Sequence, residues 1–283
     1  MYDYHYRVCG LNLRMSAPRQ MWTEQPSDSF AVPAVSNPDL HFKLEPVPEI
    51  KTPPGVCRGR NAERAVWQDG LRVSRCCQDL FRTQMHFRAD YCLDDLRTVN
   101  CTVREADWRW ATRSRFLWPE VMLNHLLLHF KTMAFHASYI EYKGGGILFT
   151  AASGTGKSTQ AGLWRVHRGA EILNGDKAAV KLERAPLACG LPFCGTSKIC
   201  VNRDVPLRAV VALSQGSSNT VSRLSPSQAA AALCPNVFTD RFVPEEWQLT
   251  LHLLLDLAAA VPVYALSCTP DIRAVEALER ALG

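Results

Sequence analysis

Residues 144–159 read GGGILFTAASGTGKST. An apolar run, Ile147-Leu148-Phe149, leads into small residues that end in Gly156-Lys157-Ser158-Thr159. A phosphate-binding loop has the pattern G-x-x-x-x-G-K-[ST], after a strand and before a helix. The last three positions are present. Ala151 occupies the first, where glycine would let the chain leave its strand in a tight turn. Alanine makes the same exit if its φ stays negative. Gly154 and Gly156 remain inside the loop, where a positive φ is free only for glycine. The context agrees, since 147–150 reads as a buried strand and 158–168 as a helix. Backbone amides across Ser153, Gly154, Thr155, Gly156 and Thr159 would then face phosphate oxygens, and the helix dipole would favour their charge. Lys157 would reach the β- and γ-phosphates, and the Ser158 hydroxyl would bind the metal. The implied cofactors are ATP and Mg²⁺.

Around this loop lies a chain of 283 residues, long enough for one large domain or two ordinary ones. A hydrophobic share of 47% with 21% charged residues is a soluble globular profile. The net charge of +5 favours anionic ligands but is too small to argue for nucleic acid. The start, MYDYHYRVCGLNLRM, alternates polar and apolar residues like a strand and has no signal-peptide character. LTLHLLLDLAAAVPVYAL carries His252, Asp256 and Pro262, so it reads as a buried helix and a strand, not a membrane span. The eleven cysteines are scattered without a CxxC pair, as reduced thiols of a cytoplasmic protein would be. His125 and His129 could share a helix face, yet no third ligand of suitable spacing accompanies them, and a core role is favoured over zinc.

The chain changes texture near residue 120. Before it come short extended pieces, HYRVCGLNLRM, DSFAVPAV, LHFKLEPV, AVWQDGLRVSR and TQMHFRADY, separated by turn residues. They predict an antiparallel β-rich region over 1–120. WRWATRSRFLW (108–118) mixes arginine with aromatics, and the preferred reading is an amphipathic segment with its arginines in water. Over 121–283 the pattern is mixed α/β, built around one nucleotide site. A helix is expected over 119–133, then a strand AFHASYIEY and a glycine turn into the loop strand. AEILNGDKAAVKLE reads as a hairpin at Asn174-Gly175. PLRAVVALSQ and VPVYALSC read as strands, TVSRLSPSQAAAALC as a strand end followed by a helix, and further helices are expected over 245–260 and at the C-terminus.

The segment from His136 to Asp176 carries a family resemblance. His136 begins a strand fifteen residues before Ala151, and Arg168-Gly169 is followed by two apolar residues and Asp176. This order resembles the kinase domain of HPr kinase/phosphorylase and its relatives, a superfamily that includes ATP-dependent phosphoenolpyruvate carboxykinase. The resemblance implies an HPr kinase/PEP carboxykinase-like nucleotide-binding core. It implies catalytic roles for Asp176, His136 and Lys157, with Ser158 and Asp176 toward the metal. Three positions depart from the pattern: Ala151 at the first loop glycine, Ala170 at the histidine of an Arg-Gly-His motif, and Gly175 at the first of two aspartates. The chain therefore looks closer to divergent members that accompany peptide-modification gene sets.

Phosphoryl transfer mainly needs positioning and charge stabilisation, and one carboxylate suffices to receive an alcohol proton. Asp176 is the candidate; its competing role is ordinary turn chemistry beside Asn174-Gly175. A second small-residue cluster, LPFCGTSKICVNR (191–203), could place Lys198 or Arg203 near phosphate charge. The expected function is an ATP-dependent kinase acting on a serine or threonine hydroxyl of a small protein or peptide. Its competitors are an inactive nucleotide-binding regulatory module and a small-metabolite kinase. No nucleic-acid or membrane partner is expected, and a homo-oligomer is compatible with the sequence.

Overall fold

A computed structural model describes residues 1–24, 27–78, 84–195 and 197–283. Expectations that touch Thr83 and Thr196 lie outside the described residues. The chain divides into two compact units, one of Met1–Leu126 with Asp240–Trp247, the other of Leu127–Thr239 with Gln248–Gly283. The sequence reading places its boundary at 120/121.

The first unit holds eight strands, β1 (Tyr2–Val8), β2 (Leu11–Ala17), β3 (Leu40–Val47), β4 (Val56–Arg60), β5 (Arg64–Asp69), β6 (Arg72–Gln78), β7 (Met85–Cys92) and β8 (Asp95–Arg104). They form one sheet in the order β1-β2-β3-β8-β7-β6-β5-β4. The pairings are antiparallel except β2–β3 and β3–β8. The extended piece HYRVCGLNLRM is in fact a hairpin. Cys9 and Gly10 have φ of 51° and 73°, the two left-handed residues that a tight hairpin turn requires. DSFAVPAV forms a one-turn 3₁₀ helix at Ser27–Phe30 instead of a strand. Two short helices follow the sheet, α1 (Trp108–Ala111) and α2 (Ser114–Glu120), then α3 (Leu123–Leu128). The single helix expected over 119–133 is therefore broken. Met122 has φ 55°, which no α-helix accommodates, and Lys131 at φ 53° turns the chain into the next strand.

A buried ionic cluster holds residues 240–247 to this sheet. Arg75 is 1% exposed; it donates to the Tyr91 hydroxyl at 2.8 Å, to Asp240 at 2.6 Å and to Glu246. Tyr91 donates in turn to Glu246, and His125 Nδ1 lies 3.2 Å from the same carboxylate. Burial, with the Arg75 charge beside it, lowers the His125 pKa below its ordinary value, against the pull of Glu246 and Asp240. A histidine that resists protonation when folded adds stability above its unfolded pKa, and that stability is lost as pH falls below about 6.5. The acid limb of the stability–pH curve should therefore flatten in His125→Gln, as urea unfolding at a series of pH values will read; an unchanged limb would rule His125 out as its source.

The second unit contains β9 (Thr132–Tyr142), β10 (Gly145–Thr150), α4 (Lys157–Arg168), β11 (Glu171–Asn174), β12 (Lys177–Lys181), β13 (Leu187–Cys189), β14 (Val205–Gln215), β15 (Thr220–Arg223), α5 (Pro226–Leu233), α6 (Pro244–Ala260, from Gln248 on), β16 (Val263–Cys268) and α7 (Ile272–Leu282). Its sheet runs β10-β9-β12-β13-β14-β16-β15, with β11 beside β9 and β10 also paired to β14. Three strands, β10, β14 and β16, are mutually parallel through β14. Buried groups line both faces. Phe149, Trp164, Val275 and Leu278 pack α4 and α7 on one side. Leu148, Val210, Leu233 and Leu257 pack α5 and α6 on the other. Trp164 meets Tyr142 edge-on at 5.0 Å, a contact worth about 1 kcal/mol beyond the area it buries. The architecture is mixed α/β.

Asn174-Gly175 does not make the hairpin that its dipeptide suggests. Asn174 pairs with Tyr139 and Lys177 with His136, so β11 and β12 run on in one direction along β9. The Ala137 amide donates to Asp176 O at 3.0 Å and Ser138 Oγ to Gly175 O at 2.8 Å, filling the ladder across the gap. Asn174 is fully buried; its Oδ1 accepts the amides of Asp176 and Lys177 at 3.0 and 2.9 Å, and its Nδ2 donates to Phe193 O. The asparagine serves as a buried hydrogen-bond hub, and no turn forms.

Candidate active site

Strand β10 is buried along its whole length and delivers the chain into residues 151–156 at the sheet's carboxyl edge. Thr150 Oγ1 donates to His136 O at 3.0 Å, which fastens the start of the loop to β9. Ala151 is not among the described residues with positive φ, so its methyl causes no backbone strain. That methyl packs in the core beside Ile147, Phe149 and Trp164. Gly154 and Gly156 have φ of 80° and 120°, and a Cβ on either would point into open space. Gly156 is the N-cap of α4 and offers no side-chain cap, so the first amides of that helix are turned toward the loop without one. Lys157 folds over the loop, donating from Nζ to Ala151 O at 2.9 Å and Ala152 O at 3.2 Å. Burial lowers its pKa, and Asp176 counteracts this.

The pairing of β9 with β11 and β12 brings the other expected residues to this edge. His136 Nε2 lies 3.3 Å from Asp176 Oδ1. Burial and the Lys157 charge depress the His136 pKa against the pull of Asp176, and with a proton on Nε2 the ring donates to the carboxylate. Ser158 Oγ is 3.5 Å from Gly175 O, which puts the hydroxyl next to the segment carrying Asp176. Lys157, Ser158, His136 and Asp176 thus converge, while Ser153, Thr155 and Thr159 complete the loop around the glycines.

Residues 191–203 touch Asp176 through a glycine. A Cβ on Gly195 would come within 2.6 Å of the Asp176 carboxylate, and one on Gly175 within 2.3 Å of Ser197 Oγ. The loop therefore presses on Asp176, and a second aspartate at position 175 would collide with Ser197. Arg203 is bound to Glu141 at 2.9 Å and Glu171 at 2.6 Å, five residues along β9 from His136. At about 3.3 Å per residue that is too far to reach phosphate held at the loop. Arg168 pairs with Glu279 at 2.6 Å and joins α4 to α7, while Ala170 is a core residue. Gly195→Ala should displace the Asp176 carboxylate; we expect the His136–Asp176 contact, followed by the histidine ring shifts in NMR, to be lost while the far-UV spectrum is kept. Unmoved shifts would mean that the loop yields instead.

Sequence reasoning missed Gln160, Gln215 and Cys268. Gln215 Nε2 donates to Gly154 O at 3.4 Å and Gln160 Nε2 to Cys268 Sγ at 3.3 Å. Isolated glutamines carry no motif; Gln160 lies in the first turn of α4, and only the ends of β14 and β16 bring Gln215 and Cys268 to the loop.

The model of the SynChlorMet cassette protein ScmC family matches residues 116–283, more than half of the chain. The chain belongs to this family. The match takes in the loop, His136 and Asp176. No curated protein sequence matches the chain. Among solved structures, the HPr(Ser) kinase/phosphatase from Coxiella burnetii aligns with 13% identity and a TM-score of 0.32, over 52% of this chain and 94% of that one. Among the described residues no helix is long and apolar enough to cross a membrane, and no group of three or more His, Cys, Asp and Glu is placed to hold a metal.

Proposed function

We propose that the chain is an ATP-dependent kinase that transfers the γ-phosphate to a serine or threonine hydroxyl of a small protein or peptide. The observation that carries this reading is the convergence of Lys157 and Ser158 with the His136–Asp176 pair, 3.3 Å apart, at the mouth of a glycine loop. The residues fit Mg-ATP: the glycine positions leave open space, the first helix amides carry no side-chain cap, and the Ser158 hydroxyl lies 3.5 Å from Gly175 O, next to the segment that carries Asp176. A magnesium ion shared with phosphates needs only one or two protein oxygens, so a three-residue cluster is not required. When bound, Mg-ATP supplies the transferable phosphoryl group and the metal that screens its charge.

The chain's own residues do the rest. Lys157 leaves its two loop carbonyls for phosphate oxygens, and the loop amides hold the same charge. Ser158 and Asp176 would hold the metal. Asp176 also accepts the proton of the acceptor hydroxyl, and His136 holds it in place from Nε2. The family's name refers to a cassette, which agrees with an acceptor encoded in the same gene set. The test is incubation with γ-labelled ATP and candidate peptides of that set, followed by mass spectrometry. Label on a serine or threonine is the expected result; label only in free phosphate or a metabolite would sink the peptide acceptor. Tight ATP binding without turnover would favour a regulatory module.

A further inference from the structure

Beside the phosphate loop, away from His136 and Asp176, the second unit has a cavity of about 400 Å³ lined by Gly154, Gly156, Thr159, Gln215, Cys268 and Pro270. That volume is within the roughly 300–1,000 Å³ of small-molecule sites. It opens where the parallel strands β10, β14 and β16 end, and in parallel sheets ligands lie outside the carboxyl ends of the strands. Hydrogen bonds join its walls: Gln215 to Gly154 O, Gln160 to Cys268 Sγ, and the Gly216 amide to Cys268 O at 3.1 Å.

We propose that this cavity takes the base and sugar of the nucleoside triphosphate, with its γ end toward Asp176; the placement rests on the phosphate-loop reading. The loop glycines border the cavity, while His136 and Asp176 do not line it. A triphosphate lying along the loop therefore has its reactive end at the carboxylate and its nucleoside end here. Pro270 and the Cys268 side chain present apolar surface for a base to lie on. Gln160 Oε1 is buried with no hydrogen-bond partner among the described residues. Its terminal torsion is soft, so the amide can turn an acceptor or a donor toward the polar edge of the base.

Cys268 then reports occupancy. Alkylation by iodoacetamide is mapped by mass spectrometry with no ligand, with saturating Mg-ATP, and with magnesium tripolyphosphate, whose binding is verified by competition with ATP. ATP should slow modification of Cys268 at least about tenfold, because access governs thiol reactivity. Tripolyphosphate should leave it unchanged, and Cys57 should be modified equally in all three. An unshielded Cys268 under bound ATP overturns the placement and leaves the phosphate loop standing, as does equal shielding by tripolyphosphate. Failure of ATP to bind at all overturns both. Burial raises the Cys268 pKa, so if alkylation is too slow to follow, Cys268→Trp decides. By filling the cavity it should weaken ATP at least about tenfold while tripolyphosphate affinity is kept; equal affinities for ATP in a folded variant overturn the placement.

Discussion

Asp176→Asn should still bind Mg-ATP yet transfer phosphate at least about a hundredfold more slowly, the usual scale for a lost acid–base group. Asparagine keeps the size of the side chain, so the contact with Gly195 and the backbone bonds to Asn174 persist. What disappears is the charge that receives a hydroxyl proton and can share the metal. A single-turnover assay with the identified acceptor separates this from a binding defect. Transfer at the normal rate would reduce Asp176 to a packing residue. His136 should matter less, because it acts through the carboxylate it holds.

A second large effect lies in the first unit. Arg75→Ala should lower unfolding stability by about 3–5 kcal/mol, the range for breaking a buried ion pair from one side. Glu246 is fully buried and Asp240 partly so, and alanine would leave both without their guanidinium partner. The burial that opposes the Arg75 charge is outweighed by Tyr91, Glu246 and Asp240 around it. Much of the loss is therefore the cost of the stranded carboxylates. Combining Arg75→Met with Glu246→Gln should recover part of it, since the charge on each side goes together. Urea unfolding of the three proteins reads both effects; an Arg75→Ala loss below about 1 kcal/mol would mean that the cluster behaves like a surface pair.

The loop was the most legible part of the sequence because its signal is local. An apolar run, small residues and Gly-Lys-Ser within a few positions fix strand, turn and helix, and α4 begins at Lys157 as that order requires. The strands LHFKLEPV and PLRAVVALSQ were legible for the same reason: their alternation or continuous burial is written along one stretch. Asn174-Gly175 misled because the dipeptide favours a hairpin only when nothing else claims the asparagine. Here its side chain bonds to Asp176, Lys177 and Phe193, and pairing with β9 keeps the chain straight. The break at Met122 had no local signal at all, since methionine is a good helix former that adopts φ 55° only under tertiary constraint. Gly195 and Gln215 belong to the site through contacts across long sequence separations, which no spacing rule encodes.

The loop itself is tested most directly by calorimetric titration of Mg-ATP into the native chain and into Lys157→Ala. Lys157 is the one loop side chain whose charge is held over Ala151 and Ala152. Loss of a charge-assisted contact worth about 1.5–3 kcal/mol should weaken binding by roughly ten- to a hundredfold, with the circular dichroism spectrum unchanged. Equal affinity in the two folded proteins would contradict the phosphate-loop account.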